Sequence, residues 1–118
     1  MYKVSKRMEI AGSHQLSLDY ESKCKNRHGH NWIVVVYVKS LQLDKNGMVI
    51  DFTHVKKEIH DILDHNHIND VITDINPTAE NMAKWIADKV NLMRDGAICY
   101  KVTVQESEGN IATWEVDE

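Results

Sequence analysis

Apolar and charged residues alternate along the first segment of the chain. Apolar side chains at positions 2, 4, 8 and 10 are separated by Lys3, Arg7 and Glu9, and the segment continues to His14. A period of two residues is typical of a β-strand with one face in solvent. The pattern therefore predicts a first strand that places His14 near its end.

The most apolar run in the chain predicts a second strand. Residues 33–38 are β-branched and aromatic, so this strand is expected to begin near His28 and to continue through about Leu43. Its residues are apolar on both faces, which indicates that helices or another subunit cover both sides. Residues 44–47 have the composition of a hairpin turn, and residues 48–51 are expected to return as a short strand.

Beyond His54 the pattern changes to that of an amphipathic helix. Apolar residues stand at positions 55, 59, 62 and 63, which predicts a first helix that ends near Leu63. A second helix is predicted with Asn76 as its cap and Pro77 as its first residue. Its apolar stripe continues through Met93 and is expected to pack in the core.

Two further strands complete the predicted order. Alternation resumes from Ile98 to Glu106, Gly109 and Asn110 supply a turn, and residues 111–116 form the last strand. The order strand, strand, helix, helix, strand, strand (ββααββ) corresponds to an α+β fold. The length of 118 residues suits a single domain over residues 1–118.

Composition narrows the classes of function. A net charge of −4 gives no argument for binding nucleic acid. No apolar stretch is long enough for a signal peptide or a membrane span, so we expect a cytoplasmic protein without membrane contact. The two cysteines are too few for a disulfide framework, and Cys99 is expected to be a small buried residue.

Candidate chemistry is concentrated in Cys24 and the motif His28-Gly29-His30. Residues two apart on a strand point to one face, so both imidazoles can be directed at a single point. A partner strand ending at His14 can add a third. Three neutral imidazoles suit a zinc ion that keeps one open coordination position, as catalytic zinc sites do. Two such histidines alone are common on strand surfaces, and His14 and Cys24 are what favour the metal hypothesis.

Further motifs follow, so that candidate functional residues are spread over nearly the whole chain. They are Leu63-Asp64-His65 with Ile68-Asn69, Asn76-Pro77-Thr78-Ala79-Glu80-Asn81, and Val104-Gln105-Glu106-Ser107. Together with His14, Cys24 and the His-Gly-His motif, in this order, they resemble the 6-pyruvoyltetrahydropterin synthase and 6-carboxytetrahydropterin synthase family.

The resemblance implies a particular fold and assembly. The family has the tunnelling fold, a four-stranded antiparallel sheet with two helices on one face. Three subunits would join edge to edge into a barrel, two such rings would stack as a homo-hexamer, and active sites would lie between subunits. By resemblance the zinc ligands are His14, His28 and His30, and the catalytic residues are Cys24 as proton-abstracting base, Asp64 and His65 as proton relay, and Glu106 as the carboxylate that binds the pterin ring.

The implied substrate is 7,8-dihydroneopterin triphosphate. The three residues between Cys24 and His28 resemble the carboxytetrahydropterin synthases of the queuosine pathway, whose products are 6-carboxy-5,6,7,8-tetrahydropterin, acetaldehyde and triphosphate. The vertebrate pyruvoyl enzymes have a longer gap between the Cys and the His-Gly-His motif, and a branch linked to folate has Glu in place of Cys24. Lys23, Lys25 and Arg27 are candidates for binding the triphosphate, and such positive neighbours favour the thiolate form of a cysteine.

Two rival hypotheses remain open at this stage. Cys24 and the three histidines could form a closed, four-ligand zinc site that only stabilises the fold. Alternatively, the chain could be another zinc enzyme, such as a hydrolase in which His65 or Glu106 activates water. Among the other histidines, His60 is expected to lie in solvent, whereas His54 and His67 are further candidates for the site.

Overall fold

A long antiparallel strand pair forms the centre of the fold in the computed structural model, which describes residues 1–116. Strand β1 spans Tyr2–His14 and strand β2 spans His28–Ser40. They pair along their whole length, from Tyr2 opposite Ser40 to His14 opposite His28. Both predicted strands are present, although β2 ends at Ser40 rather than near Leu43.

The segment after β2 forms a turn and not the predicted strand at residues 48–51. The Asp44 carboxylate accepts hydrogen bonds from the backbone N–H groups of Asn46 and Met48, at 2.8 and 3.0 Å. The Asp44 N–H donates to the Met48 carbonyl at 2.9 Å. These bonds close the turn over residues 44–48, and the next helix begins at Phe52.

Helix α1 covers residues 52–63 and confirms the first predicted helix. It begins as α-helical Phe52–Val55, continues as π-helical Lys56–His60 and ends as α-helical Asp61–Leu63. A two-residue strand β3, Asn66–His67, and a single helical turn α2, Ile68–Val71, follow it.

Helix α3, Ala79–Asn91, is capped by Thr78 and not by Asn76 as predicted. The Thr78 hydroxyl accepts the Asn81 N–H at 3.1 Å. The Asn76 side chain instead binds the backbone of Ser17, so a long-range contact replaces the local cap. Strands β4, Ile98–Ser107, and β5, Asn110–Glu115, complete the described chain.

The sheet has five strands in the order β3-β1-β2-β4-β5 and is mixed, which corrects the prediction of a four-stranded antiparallel sheet. Neighbours among β1, β2, β4 and β5 are antiparallel, whereas β3 pairs in parallel with the end of β1, Gly12 opposite Asn66 and Ser13 opposite His67. The extra strand is short, but it fixes the segment after α1 against β1.

The hydrophobic core lies on one face of the sheet. Even-numbered residues of β2, including Val34, Val36 and Val38, are buried together with apolar side chains of α1 and α3, and Cys99 is buried as predicted. On the opposite face Ile33 and Val35 are half-exposed. None of the helices within residues 1–116 has the length and apolar character needed to span a membrane.

Close approach of β1 and β3 makes Gly12 a sensitive position. A Cβ atom added at Gly12 would lie 2.6 Å from the Asn66 carbonyl oxygen, a contact that requires the backbone to move. We expect Gly12→Ala to lower the free energy of unfolding by about 2–3 kcal/mol, measured by chemical denaturation.

Gly47→Ala is the matched control for this substitution. A Cβ at Gly47 meets nothing within 4 Å, and its cost of about 1 kcal/mol comes from the positive φ of 83°. Equal losses in the two variants would show that β3 is not held as described.

Candidate metal centre and active site

Three imidazoles converge at one end of the β1–β2 pair. His14 lies opposite His28, and His30 follows two residues later on the same face of β2. The ring centroids are 4.5 Å apart for His14 and His28, 5.2 Å for His14 and His30, and 4.9 Å for His28 and His30. The strand register thus brings together the three histidines that the sequence selected as metal ligands.

Backbone carbonyls fix the proton positions on two of these rings. The Nδ1 of His14 lies 2.8 Å from the Pro77 carbonyl, and the Nδ1 of His28 lies 2.7 Å from the Asn26 carbonyl. A carbonyl only accepts, so in the neutral rings Nδ1 carries the proton and Nε2 carries a lone pair.

The two Nε2 atoms of His14 and His28 are only 2.9 Å apart. Two lone pairs at this distance repel each other unless a cation lies between the rings. A metal ion at about 2.0–2.1 Å from each nitrogen relieves this repulsion and uses both lone pairs. The donor arrangement therefore fits a bound metal ion.

Glu106 adds a carboxylate to the three histidines. Its Oε1 is 3.4 Å from the Nε2 of His14 and 3.4 Å from the Nε2 of His30, and the four ligand atoms lie within 4.8 Å of one another. The buried Nε2 of His30 has no hydrogen-bond partner among the described residues. Such an atom is costly unless it has a ligand.

The environment of His14 and His30 favours the neutral form, which binds metals. Burial is the main effect that lowers the pKa of His14 and of His30 below the ordinary value, while Glu106 acts in the opposite direction on both. Imidazoles that are neutral near neutral pH are available as ligands without first losing a proton. His14 is fully buried, whereas His28 and His30 are half-buried and connect the cluster with the surface.

Asp64 and His65 form a hydrogen-bonded pair beside β1. The Asp64 Oδ2 lies 2.7 Å from the His65 Nδ1, and its Oδ1 accepts the Ala11 N–H at 2.8 Å. His65 has a positive φ of 58°, and its own N–H donates to the Ala11 carbonyl at 2.6 Å. The Ala11 N–H and then the His65 ring lower the pKa of the Asp64 carboxyl. The ionised carboxylate therefore holds the exposed His65 ring in one orientation.

The remaining histidines lie outside the metal cluster formed within residues 1–116. His60, expected in solvent, is half-buried: its Nδ1 lies 2.9 Å from Asp61 Oδ1 and its Nε2 3.7 Å from Asp64 Oδ2. Its position four residues before Asp64 on a helix is the signal that could have revealed this contact. His67 contacts the Ser13 hydroxyl at 2.9 Å, and His54 is exposed.

Cys24 is exposed in a short 3-10 turn, Lys23–Lys25. The fourth group of the cluster is Glu106, so the described residues do not form the closed site of one cysteine and three histidines that the rival hypothesis requires. Lys25, one of the candidate triphosphate ligands, is 3.2 Å from the Glu21 carboxylate.

Glu106 also faces an open depression of about 420 Å³ beside the cluster. Glu80, Gly109, Asn110 and Ile111 are among the other residues that line it. The carboxylate thus lies between the converging histidines and a space that is open to a small molecule.

Comparisons with known proteins place the chain in a family. A family model described as 6-pyruvoyl tetrahydropterin synthase matches residues 3–117. The 6-pyruvoyl tetrahydrobiopterin synthase of Homo sapiens is 33% identical over 94% of this chain and 89% of its own length. The 6-carboxy-5,6,7,8-tetrahydropterin synthase of Synechocystis sp. is 35% identical over 76% of this chain and 75% of its own length. The solved structure of Caenorhabditis elegans 6-pyruvoyl tetrahydropterin synthase has a TM-score of 0.75 and 26% identity, covering 98% of this chain and 96% of that one.

Fold and site together define an α+β protein with a histidine-rich cluster that could bind a metal ion. The chain belongs to the 6-pyruvoyl tetrahydropterin synthase family, whose members are lyases. The resemblance found in the sequence is confirmed.

The cluster predicts binding of a divalent metal ion. His30→Ala removes a ligand atom that has no hydrogen-bond partner of its own, so we expect the affinity for Zn²⁺ or Co²⁺ to fall by at least about 100-fold. Calorimetric titration and the visible absorption of the Co²⁺ form measure this. His54→Ala, at an exposed histidine away from the cluster, should bind as the unchanged protein does. Unaltered affinity in His30→Ala would contradict the assignment.

Proposed function

We propose that the protein is a zinc-dependent 6-carboxytetrahydropterin synthase. It would convert 7,8-dihydroneopterin triphosphate and water to 6-carboxy-5,6,7,8-tetrahydropterin, acetaldehyde and triphosphate, a reaction of the queuosine pathway. The observation that carries the proposal is the convergence of three imidazoles and Glu106, in a chain of this family.

The carboxy product is favoured by the short gap between Cys24 and His28, which resembles the queuosine-pathway enzymes. Relatives named for either product have similar identity to this chain: 35% for the carboxy enzyme of Synechocystis and 33% for the human pyruvoyl enzyme. Formation of the pyruvoyl product, without cleavage of the carbon–carbon bond, is therefore the second candidate function.

His14, His28 and His30 would hold the zinc ion through their Nε2 atoms. When bound, zinc supplies Lewis acidity that makes the hydroxyls of the substrate side chain more acidic. The carbonyls of Pro77 and Asn26 would keep the rings of His14 and His28 in the required tautomer.

Glu106 would bind the amino-pyrimidine edge of the pterin. One carboxylate can accept two hydrogen bonds, from the ring N–H and from the exocyclic amine. Because Glu106 lines the depression and also faces the histidines, a pterin bound there would direct its side chain towards the cluster.

Cys24 would remove a proton from the substrate side chain. A thiolate is a suitable base near neutral pH, and the exposed position of Cys24 leaves it accessible to substrate. The charges of Lys23, Lys25 and Arg27 would attract the triphosphate, although Lys25 is also paired with the Glu21 carboxylate at 3.2 Å.

Asp64 and His65 would move the proton to its final position. The Asp64 carboxylate accepts the Nδ1 proton of His65, which leaves the Nε2 lone pair free to take up a proton. The negative charge of Asp64 stabilises the imidazolium that results. His65 can then return the proton to the carbon skeleton or the ring of the product.

The site also supports assembly of several copies of this chain. Cys24 is exposed and the His65 side chain is 83% exposed, so the proposed acid and base groups lie at the surface of the single subunit. Active sites between subunits, in a homo-hexamer of two stacked trimers, would enclose these groups and exclude water.

Identification of the products by mass spectrometry tests the proposed reaction. The purified protein, loaded with zinc, is incubated with 7,8-dihydroneopterin triphosphate. We expect triphosphate, acetaldehyde and 6-carboxy-5,6,7,8-tetrahydropterin. Triphosphate release with the pyruvoyl product would support the second candidate, and no release by the zinc-loaded protein would contradict both.

Cys24→Ala tests the assignment of the base. Because Cys24 does not belong to the metal cluster, this variant should keep its zinc and its melting temperature while turnover falls by at least about 100-fold. Cys24→Ser preserves the shape of the side chain, but its hydroxyl is a far weaker acid than the thiol. This variant should therefore lose turnover as well. Normal turnover in either variant would refute the role of Cys24, and loss of zinc in Cys24→Ala would favour the structural site.

A further inference from the structure

Two asparagine side chains hold the segment that joins β1 to the Cys24 turn. Asn69 Oδ1 accepts the Gln15 N–H at 2.9 Å, and Asn69 Nδ2 donates to the Gln15 carbonyl at 2.8 Å. Asn76 makes the same pair of bonds with Ser17, at 2.9 and 2.8 Å. Each side-chain amide thus satisfies the complete backbone of one residue, as the neighbouring strand of a sheet would.

The backbone N–H of Leu16, which lies between Gln15 and Ser17, points in the opposite direction. Gln15 and Ser17 face the asparagines, whereas the N–H of Leu16 donates to the Cys24 carbonyl at 3.2 Å. This alternation is that of extended backbone, in which successive N–H groups lie on opposite sides. Residues 15–17 therefore connect the two asparagines on one side with the proposed base on the other.

Both asparagines belong to well-fixed parts of the site. Asn69 lies in α2, directly after β3 pairs with β1. Asn76 precedes Pro77, whose carbonyl fixes His14, and the Asn76 carbonyl accepts a 2.8 Å bond from Asn81 Nδ2 in helix α3. The clamp formed by Asn69 and Asn76 thus fixes residues 15–17 relative to the same elements that position the metal cluster.

The Cys24 turn depends on this connection. Cys24 N–H donates to the Ser22 hydroxyl at 3.2 Å and Asn26 N–H to the Lys23 carbonyl at 3.0 Å, both within the turn. The turn is joined to β2 through the 2.7 Å bond between the Asn26 carbonyl and His28, and to β1 through Leu16. Cys24 itself takes part in the connection to β1, because its carbonyl accepts the Leu16 N–H.

We propose that Asn69 and Asn76 are positioning residues that set the thiol of Cys24 relative to His14 by clamping residues 15–17. The inference rests on the proposed function, in which Cys24 is the base. A displacement of about 1 Å at a reacting group can cost about 100-fold in rate, so the clamp acts on turnover through geometry.

Asn91 provides a matched control for a merely structural effect. Its Oδ1 accepts the Cys99 N–H at 2.8 Å, a bond of the same kind between a side chain and the backbone, and it lies at the end of α3. Asn91→Ala should lower stability as the clamp variants do, with no effect on Cys24.

The first test compares kinetics in the zinc-loaded protein. For Asn69→Ala and Asn76→Ala we expect kcat to fall by about 10- to 100-fold, KM to change by less than about threefold, and zinc content to stay the same. Asn91→Ala should keep its kcat. A decrease in kcat no larger than that of Asn91→Ala would overturn the proposal.

The second test does not use activity. Amide hydrogen exchange followed by NMR should show faster exchange at Leu16 in Asn69→Ala and in Asn76→Ala, although the acceptor of that amide, the Cys24 carbonyl, is unchanged. Unaltered protection of Leu16 would overturn the clamp. If the unmodified protein does not act on the pterin substrate, the proposed function fails, and exchange at Leu16 still decides whether the asparagines hold the Cys24 turn.

Substitution by Asp covers the case in which an Ala variant fails to fold. Asp at position 69 or 76 keeps the oxygen that accepts the backbone N–H but cannot donate to the carbonyl. The second carboxylate oxygen would face the backbone carbonyl and repel it, so Asn69→Asp and Asn76→Asp should show the same faster exchange at Leu16 and a decrease in kcat. Leu16 exchange equal to that of the unmodified protein would again contradict the proposal.

Discussion

The register of β1 against β2 is the constraint on which the site depends. His14 meets His28 at the end of a ladder that begins with Tyr2 opposite Ser40. A shift by one residue would turn every side chain of one strand to the other face. The histidines lie on the same face as the buried valines of β2, so burial of the core selects the register that also assembles the cluster. The same alternation thus specifies both the buried core and the candidate metal cluster.

Backbone carbonyls and a buried aromatic ring then fix the orientation of the histidine rings. The Pro77 carbonyl, at the entrance to α3, fixes the tautomer of His14, and the Asn26 carbonyl does the same for His28. Trp32, fully buried, packs edge-on against His14 and His30 at 5.0 and 5.2 Å between centroids, and separates the cluster from the apolar core. The rings therefore have little freedom before any ligand arrives, which reduces the entropy lost on binding.

Much of this could be predicted from the sequence, because long strands and helices have a period. The paired strands, both long helices and the three converging histidines follow from alternation and spacing. The parallel strand β3 could not be predicted, since two residues carry no period and their pairing depends on the absence of a Cβ at Gly12. Asn76 has the local pattern of a helix cap, but its amide makes two bonds to Ser17 instead. Long-range hydrogen bonds of this kind have no signature in the local sequence.

The distribution of burial within the site bears on how catalysis would be organised. His14 is fully buried, whereas Cys24 and His65 are exposed on the single chain. Electrostatic interactions with a substrate strengthen when water is excluded, so the exposed groups become effective only once something covers them. In the proposed reaction the pterin would cover part of the site from the side of Glu106, and a second copy of the chain would cover the rest. The fold would then preorganise the cluster, and association of subunits would enclose the acid and base groups.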